Sequence, residues 1–202
     1  MVLYDKGVAR RKLLLDTALE LLGRFSLETI TLRQVAAAAK VPPSSVYHFF
    51  GNIEKLFIDL AKCFGDELVE SVIVPYSSDE TGSWQQLYSA AIDRGVGVYL
   101  RTPAYCQLIL SPHSPPVIKL SDRKNDAELA TLFAGVMGQH FKLPGLQDLI
   151  YKLYCSIEIV DLFLSLSFIH QQKIVPDMVE EAKFAAIAYL GRYLPDSLPQ
   201  RS

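Results

Sequence analysis

The sequence predicts an all-α fold, with an N-terminal three-helix helix-turn-helix unit followed by a larger helical domain, about nine helices in total. Three observations carry this. Apolar residues recur at i, i+3 and i+4 spacing along most of the chain. No run sustains the two-residue alternation of a strand between hairpin residues. Proline, glycine and capping residues cut the chain into helix-sized pieces.

Residues 8–25 place Leu14, Leu15, Ala18, Leu21, Leu22 and Phe25 on one side of an amphipathic helix. Thr31 caps a short helix over 32–39, its hydroxyl accepting an otherwise unpaired backbone N–H. A tight turn at Lys40-Val41 leads to Pro42-Pro43, which open a helix over 43–49; proline suits a first turn whose N–H has no partner anyway. Gly51-Asn52 end it, and Asn52 caps a long helix over 53–74. A loop over 75–82 precedes helices over 83–100 and 103–110. The stretch 111–125 is the longest without periodicity and is expected to be a mobile loop. Helices over 126–142, 146–171 and 177–193 complete the chain, bounded by Pro144-Gly145, Pro176-Asp177 and Pro195.

The 202 residues carry a net charge of −2 and are half apolar, enough for a core without covalent staples. That balance excludes a disordered chain. Cys63, Cys106 and Cys155 are far apart and form no CxxC pair, which excludes a disulfide framework or zinc ribbon and fits a reducing, cytoplasmic setting. The charged N-terminus lacks the apolar segment of a secretory signal. The longest apolar stretch, 153–169, contains Glu158 and Asp161. Each costs about 2.5 kcal/mol or more at a bilayer centre, so a buried helix and no membrane partner are expected. Residues 1–55 hold 8 Lys/Arg against 5 Asp/Glu, a net +3; residues 56–202 hold 12 against 17, a net −5. A basic segment on an acidic body assigns the anionic partner to the first segment alone.

The short helices 32–39 and 43–49, joined by a tight turn, have the spacing of a helix-turn-helix. Ala36, Ala37 and Val41 are small enough for the two to cross closely. Such a unit sets its second helix in the DNA major groove, about 12 Å wide, while the first crosses the backbone.

The run TITLRQVAAAAKVPPSSVYHFFGNIEKLF resembles the N-terminal domain of TetR-family transcriptional regulators. The match rests on Thr31, Val35-Ala36, Val41, Val46-Tyr47-His48-Phe49-Phe50, Glu54 and Leu56, within roughly residues 9–60. The resemblance implies a homodimeric regulator, a repressor released from an inverted-repeat operator by a small-molecule effector, with a DNA-binding domain over 1–55 and an effector and dimerisation domain over 56–202. Alternatives are an effector-independent DNA-binding protein, and a small-molecule-binding helical protein with weakened DNA affinity.

Tyr47 and His48 match the family's phosphate-contacting pair. Thr31 and the helix it caps offer a hydroxyl and free N–H groups to a phosphate. Arg33 and Gln34 suit backbone or flanking-base contacts, and Ser44 and Ser45 let the reading helix enter deeply. Arg11, in the basic cluster 10–12, and Lys55 are further candidates. The family usually has glycine where Ser26 and Lys40 stand, just past helix ends where a left-handed backbone is expected, at a cost of about 1 kcal/mol for other residues. It often has serine and lysine at Pro42 and Pro43, and lysine at Ile53, so two phosphate contacts are missing here.

On helix 146–171, Gln147, Tyr151, Tyr154, Glu158, Asp161 and Ser165 fall within an arc of about 80° on an otherwise apolar helix. That stripe faces solvent, a ligand cavity or a dimer seam. Facing a cavity, it gives an apolar site with one anionic end, suited to a hydrophobic ligand carrying a cation. The candidate pocket residues are Trp84, Tyr88, Tyr105, Phe133, Met137, Tyr154, Glu158 and Asp161; core packing is the alternative role for the apolar ones. Because the family dimerises through its last two long helices, the candidate seam is Leu153, Ile157, Ala182, Ala185 and Tyr189. No GxSxG, glycine-rich phosphate loop or HExxH is present, and His113 and His140 are isolated. The expectation is a non-enzymatic protein with no cofactor and no metal.

Overall fold

The computed structural model describes residues 2–201, with side chains described from Lys6 onward. The side chains at 2–5, part of the charged N-terminal stretch, lie outside the described residues. The fold is all-helical: α1 (Val2–Leu22), α2 (Leu32–Ala38), α3 (Pro43–Phe50), α4 (Ile53–Ile73), α5 (Trp84–Arg101), a π-helix (Cys106–Leu110), α6 (Pro116–His140), α7 (Leu149–Gln171) and α8 (Pro176–Gly191).

Local chemistry sets the helix ends. Thr31 forms a reciprocal cap: its hydroxyl accepts from Gln34 N at 3.3 Å, and the Gln34 side chain accepts from Thr31 N at 2.8 Å. Asn52 accepts from Lys55 N at 2.9 Å. Lys40 takes the left-handed conformation, φ 55°, that ends α2. Lys40 N then donates to Ala37 O and Val41 N to Ala36 O, which satisfies two carbonyls left over at the helix end. Ser26 does not follow the same expectation; at φ −67°, ψ 144° it is extended and leads into a 3-10 turn (Leu27–Thr29).

The expected loop over 111–125 is corrected. It ends at Pro115, and α6 runs from Pro116. The inward stripe of α6 is Ile118, Asp122, Asp126, Ala130, Phe133 and Met137, all buried. Two buried carboxylates interrupt the apolar pattern, which hides a regular helical period. At the other end, Asp148 is left-handed and α7 begins at Leu149, so Gln147 lies outside the helix and its stripe.

α2 and α3 pack on each other, and α1 packs on α2 and on the first half of α4. The large part is a closed ring in which α4 packs on α6, α6 on α7, α7 on α8, α8 on α5 and α5 back on α4. Helix α4 belongs to both parts. Its Leu56, Phe57 and Leu60 are buried towards the N-terminal unit, and its Phe64, Leu68 and Val72 face the ring interior. A Cβ at Gly65 would sit 2.7 Å from the Asn125 side chain, whose amide donates to Ala61 O at 3.1 Å. Glycine therefore sets the close approach of α4 and α6. Helix α7 is long and apolar enough to cross a membrane. It instead lies between α6 and α8 and carries Glu158 and Asp161.

Candidate DNA-reading helix and ligand cavity

Val46 and Phe50 bury one side of α3. The opposite side exposes Ser44, Tyr47 and His48, which at i, i+3 and i+4 share one face. His48 packs edge-on against Phe49, ring centroids 5.5 Å apart. Lys55 reaches back towards the C-terminus of α3, with Nζ 3.9 Å from where a Cβ on Gly51 would stand. A cation at a helix C-terminus meets the negative end of its dipole. Arg33 is exposed on α2. Arg11 is exposed but engaged: it pairs with Asp59 of α4 at 2.6 Å and lies 5.9 Å above the Phe50 ring, linking α1, α3 and α4.

The ring encloses a cavity of about 70 Å³. Phe64, Leu68 and Val72 of α4, Tyr88 to Tyr99 of α5, Phe133 of α6 and Ile157 to Leu164 of α7 line it. Its surface is apolar apart from Asp126 and Asp161. Those two carboxylates are shared with a second, polar hollow between α6 and α7 that also holds Lys119, Asp122, Arg123 and Glu158. One ligand oxygen from each of Asp122, Asp126 and Asp161 lies within 4.8 Å of the others. Burial raises the pKa of all three carboxyls; Asp161 and Asp122 raise Asp126 further, and Asp122 and Glu158 raise Asp161 further. The Tyr88 hydroxyl donates to Ser156 Oγ at 2.9 Å, and Ser156 donates to Ala186 O at 3.2 Å, so the cavity wall is bonded through α7 to α8.

Residues 14–60 match the family model described as bacterial regulatory proteins of the tetR family, and residues 82–194 match the tetracyclin repressor-like C-terminal domain. The chain belongs to the TetR family. It is a DNA-binding transcriptional regulator with a helical ligand-binding domain. Similar solved structures include a TetR-family transcriptional regulator from Streptomyces coelicolor, 24% identical with a TM-score of 0.71 over 92% of this chain and 99% of that one. A TetR regulator from Rhodococcus sp. RHA1 is 16% identical, TM-score 0.65, over 94% and 99%. The flavonoid-responsive regulator FrrA is 16% identical, TM-score 0.53, over 94% and 99%. No curated protein matches the chain.

Of the eight pocket candidates in the regulator, Tyr88, Phe133 and Asp161 line the apolar cavity. Glu158 faces the polar hollow, with Oε1 3.3 Å from Arg123 Nε. The other four lie elsewhere. Trp84 is buried in the core, and its indole N–H donates to Pro195 O at 2.9 Å, fastening the C-terminal tail. Tyr105 packs on Phe64 and donates to Glu67 at 2.7 Å. Met137 is core, and Tyr154 sits at the surface beside Tyr151. Two seam candidates are corrected: Leu153 and Ala182 are fully buried where α7 meets α8, with no surface left for a partner. Ile157 lines the cavity. Ala185 and Tyr189 remain partly exposed.

Sequence reasoning missed Gln107, Lys119, Asp122 and Asp126. Gln107 Nε2 donates to Leu22 O, the last carbonyl of α1, at 2.7 Å. Lys119, beside the carboxylates, donates to Ile109 O of the π-helix. His113 pairs with Glu28 at 3.3 Å. The π-helix thus lies between Lys119, which lines the carboxylate hollow, and the end of α1. The i, i+4 spacing of Asp122 and Asp126 was the available signal.

Proposed function

We propose that this regulator is a homodimeric, non-enzymatic cytoplasmic repressor that leaves an inverted-repeat operator when a small molecule enters the ring cavity. The observation that carries the reading is the run of contacts from cavity to reading unit: Lys119 lines the hollow of the carboxylate cluster and donates to the π-helix, and Gln107 of the π-helix donates to Leu22 of α1. At about 70 Å³ the cavity is smaller than the roughly 150 Å³ void that admits benzene. A ligand must therefore spread the helices as it enters, and α4, which lines the cavity and packs on α1, moves with them. The ligand favours the spread state by its differential affinity, and DNA favours the other.

In this reading residues 1–55 bind DNA and 56–202 carry effector and dimer functions. Ser44 and Ser45 approach base edges; Tyr47, His48 and Thr31 contact phosphates; Arg33 and Lys55 add charge near the backbone. Gln34 works through the Thr31 cap, and Arg11 by holding α3 in place. The second copy docks on α7 and α8. Only 33% of the apolar stretch of α7 is buried within one chain, and Phe184 of α8 is 73% exposed. Leu162, Ile169, Ala185 and Tyr189 extend that apolar face.

The test is binding of the full chain to genomic fragments in a mobility shift. Expected is a complex with two chains per inverted repeat that dissociates when a cavity ligand is added. A single chain on a non-repeated site, or ligand binding that leaves the complex intact, overturns the dimeric effector mechanism.

A further inference from the structure

We propose that the effector is a small organic cation, its apolar body in the ring cavity and its ammonium group among Asp122, Asp126 and Asp161. This rests on the effector reading above and names the ligand class. Asp126 is 3% exposed and lines both hollows, yet its Oδ2 accepts no hydrogen bond. Buried carboxylate oxygens without donors lack what folded proteins normally supply, and an ammonium group brings such donors with its charge.

Charge bookkeeping points the same way. Four carboxylates, Asp122, Asp126, Glu158 and Asp161, face two cations, Lys119 and Arg123. Lys119 is engaged with the Ile109 carbonyl, and Arg123 sits on Glu158. In the free protein burial and mutual repulsion favour the protonated form of the three Asp carboxyls, and an arriving ammonium supplies the positive charge that lets them ionise. The aromatic lining adds to this: Tyr88 pairs with Phe133 at 5.2 Å and Phe64 with Tyr99 at 4.7 Å, all on the cavity wall. Ring faces attract cations. A bare divalent ion would use the carboxylates and leave the apolar half empty, whereas an amine on an apolar body fills both.

Calorimetry on the full chain with 2-phenylethylammonium, 2-phenylethanol, 3-phenylpropanoate, magnesium and calcium tests this. The ammonium should bind about ten-fold or more tighter than the alcohol, with the carboxylate weakest. Asp126→Asn and Asp161→Asn should each remove most of that preference and leave the alcohol unchanged, with melting of the free variants as the folding control. If a variant fails to fold, the other variant and the three-ligand comparison decide. Equal binding of ammonium and alcohol, a preference intact in both variants, absence of ammonium binding, or calcium or magnesium displacing the ammonium would each overturn the proposal. Release of DNA by the alcohol alone would overturn it too, while leaving the effector reading standing.

Discussion

The side-chain amide of Gln107 donates a 2.7 Å hydrogen bond to the main-chain carbonyl of Leu22, across 85 residues of sequence. Leu22 closes α1, so this carbonyl lacks a helical donor and sits at the negative end of the helix dipole. The ligand-binding part supplies the donor. Replacing Gln107 with Leu leaves that carbonyl unpaired. The expected loss of coupling is about 1 kcal/mol, roughly five-fold in the effect of ligand on DNA affinity. Operator titrations with and without ligand measure it. Unchanged coupling would remove Gln107 from the path.

Tyr47 and His48 stand exposed on the free face of α3, away from Val46 and Phe50. Tyr47→Ala and His48→Ala should each weaken operator binding by about 1–2 kcal/mol while helicity and melting temperature hold, since charge-assisted contacts to phosphate are of that size. Few cations surround the helix, so the logarithmic salt slope should be modest, about −4 to −7 per dimer. Equal affinity of both variants and the parent would take the reading role away from this face.

Phe184 is 73% exposed on α8. Phe184→Glu should give monomers in sedimentation, with the subunit fold intact, because the residue makes little internal contact. Ala185→Glu should do the same. A dimer of ordinary strength in both would move the seam elsewhere.

Asp122, Asp126 and Asp161 bind protons more tightly folded than unfolded, mainly because they are buried, with Glu158 adding repulsion and Lys119 and Arg123 opposing it. Asp122 is pushed up to about 7. A raised folded-state pKa in an acid stabilises below its unfolded value, near 3.9, and that stability is lost as pH rises through the folded one. The melting temperature of the free protein should therefore fall from about pH 5 to about pH 8. Asp126→Asn should flatten the slope. A melting temperature that rises over this window contradicts the buried, protonated cluster.

The helix-turn-helix was legible because its signals are local. Thr31 and Asn52 act through neighbours three residues away, Pro43 occupies a first turn that needs no N–H, and Lys40 ends α2 within one turn. The cavity was only partly legible. Asp122 and Asp126 occupy core positions of α6, so the apolar period that should have announced the helix was broken by the residues that furnish the site. Trp84 and Tyr105 read as pocket aromatics, but their polar atoms are satisfied by Pro195 and Glu67, residues whose proximity no spacing encodes. Gln107 carried no signal either, since its partner is a main-chain carbonyl.

Selection of bound fragments from genomic DNA, run in parallel with the parent chain and the Tyr47→Ala, His48→Ala double variant, bears most directly on the central claim that α3 reads an operator. The parent should enrich one family of inverted repeats whose two halves lie on the same face of the duplex, and the variant should enrich none. Enrichment of the same repeats by the variant, or no sequence above random DNA with the parent, would contradict it.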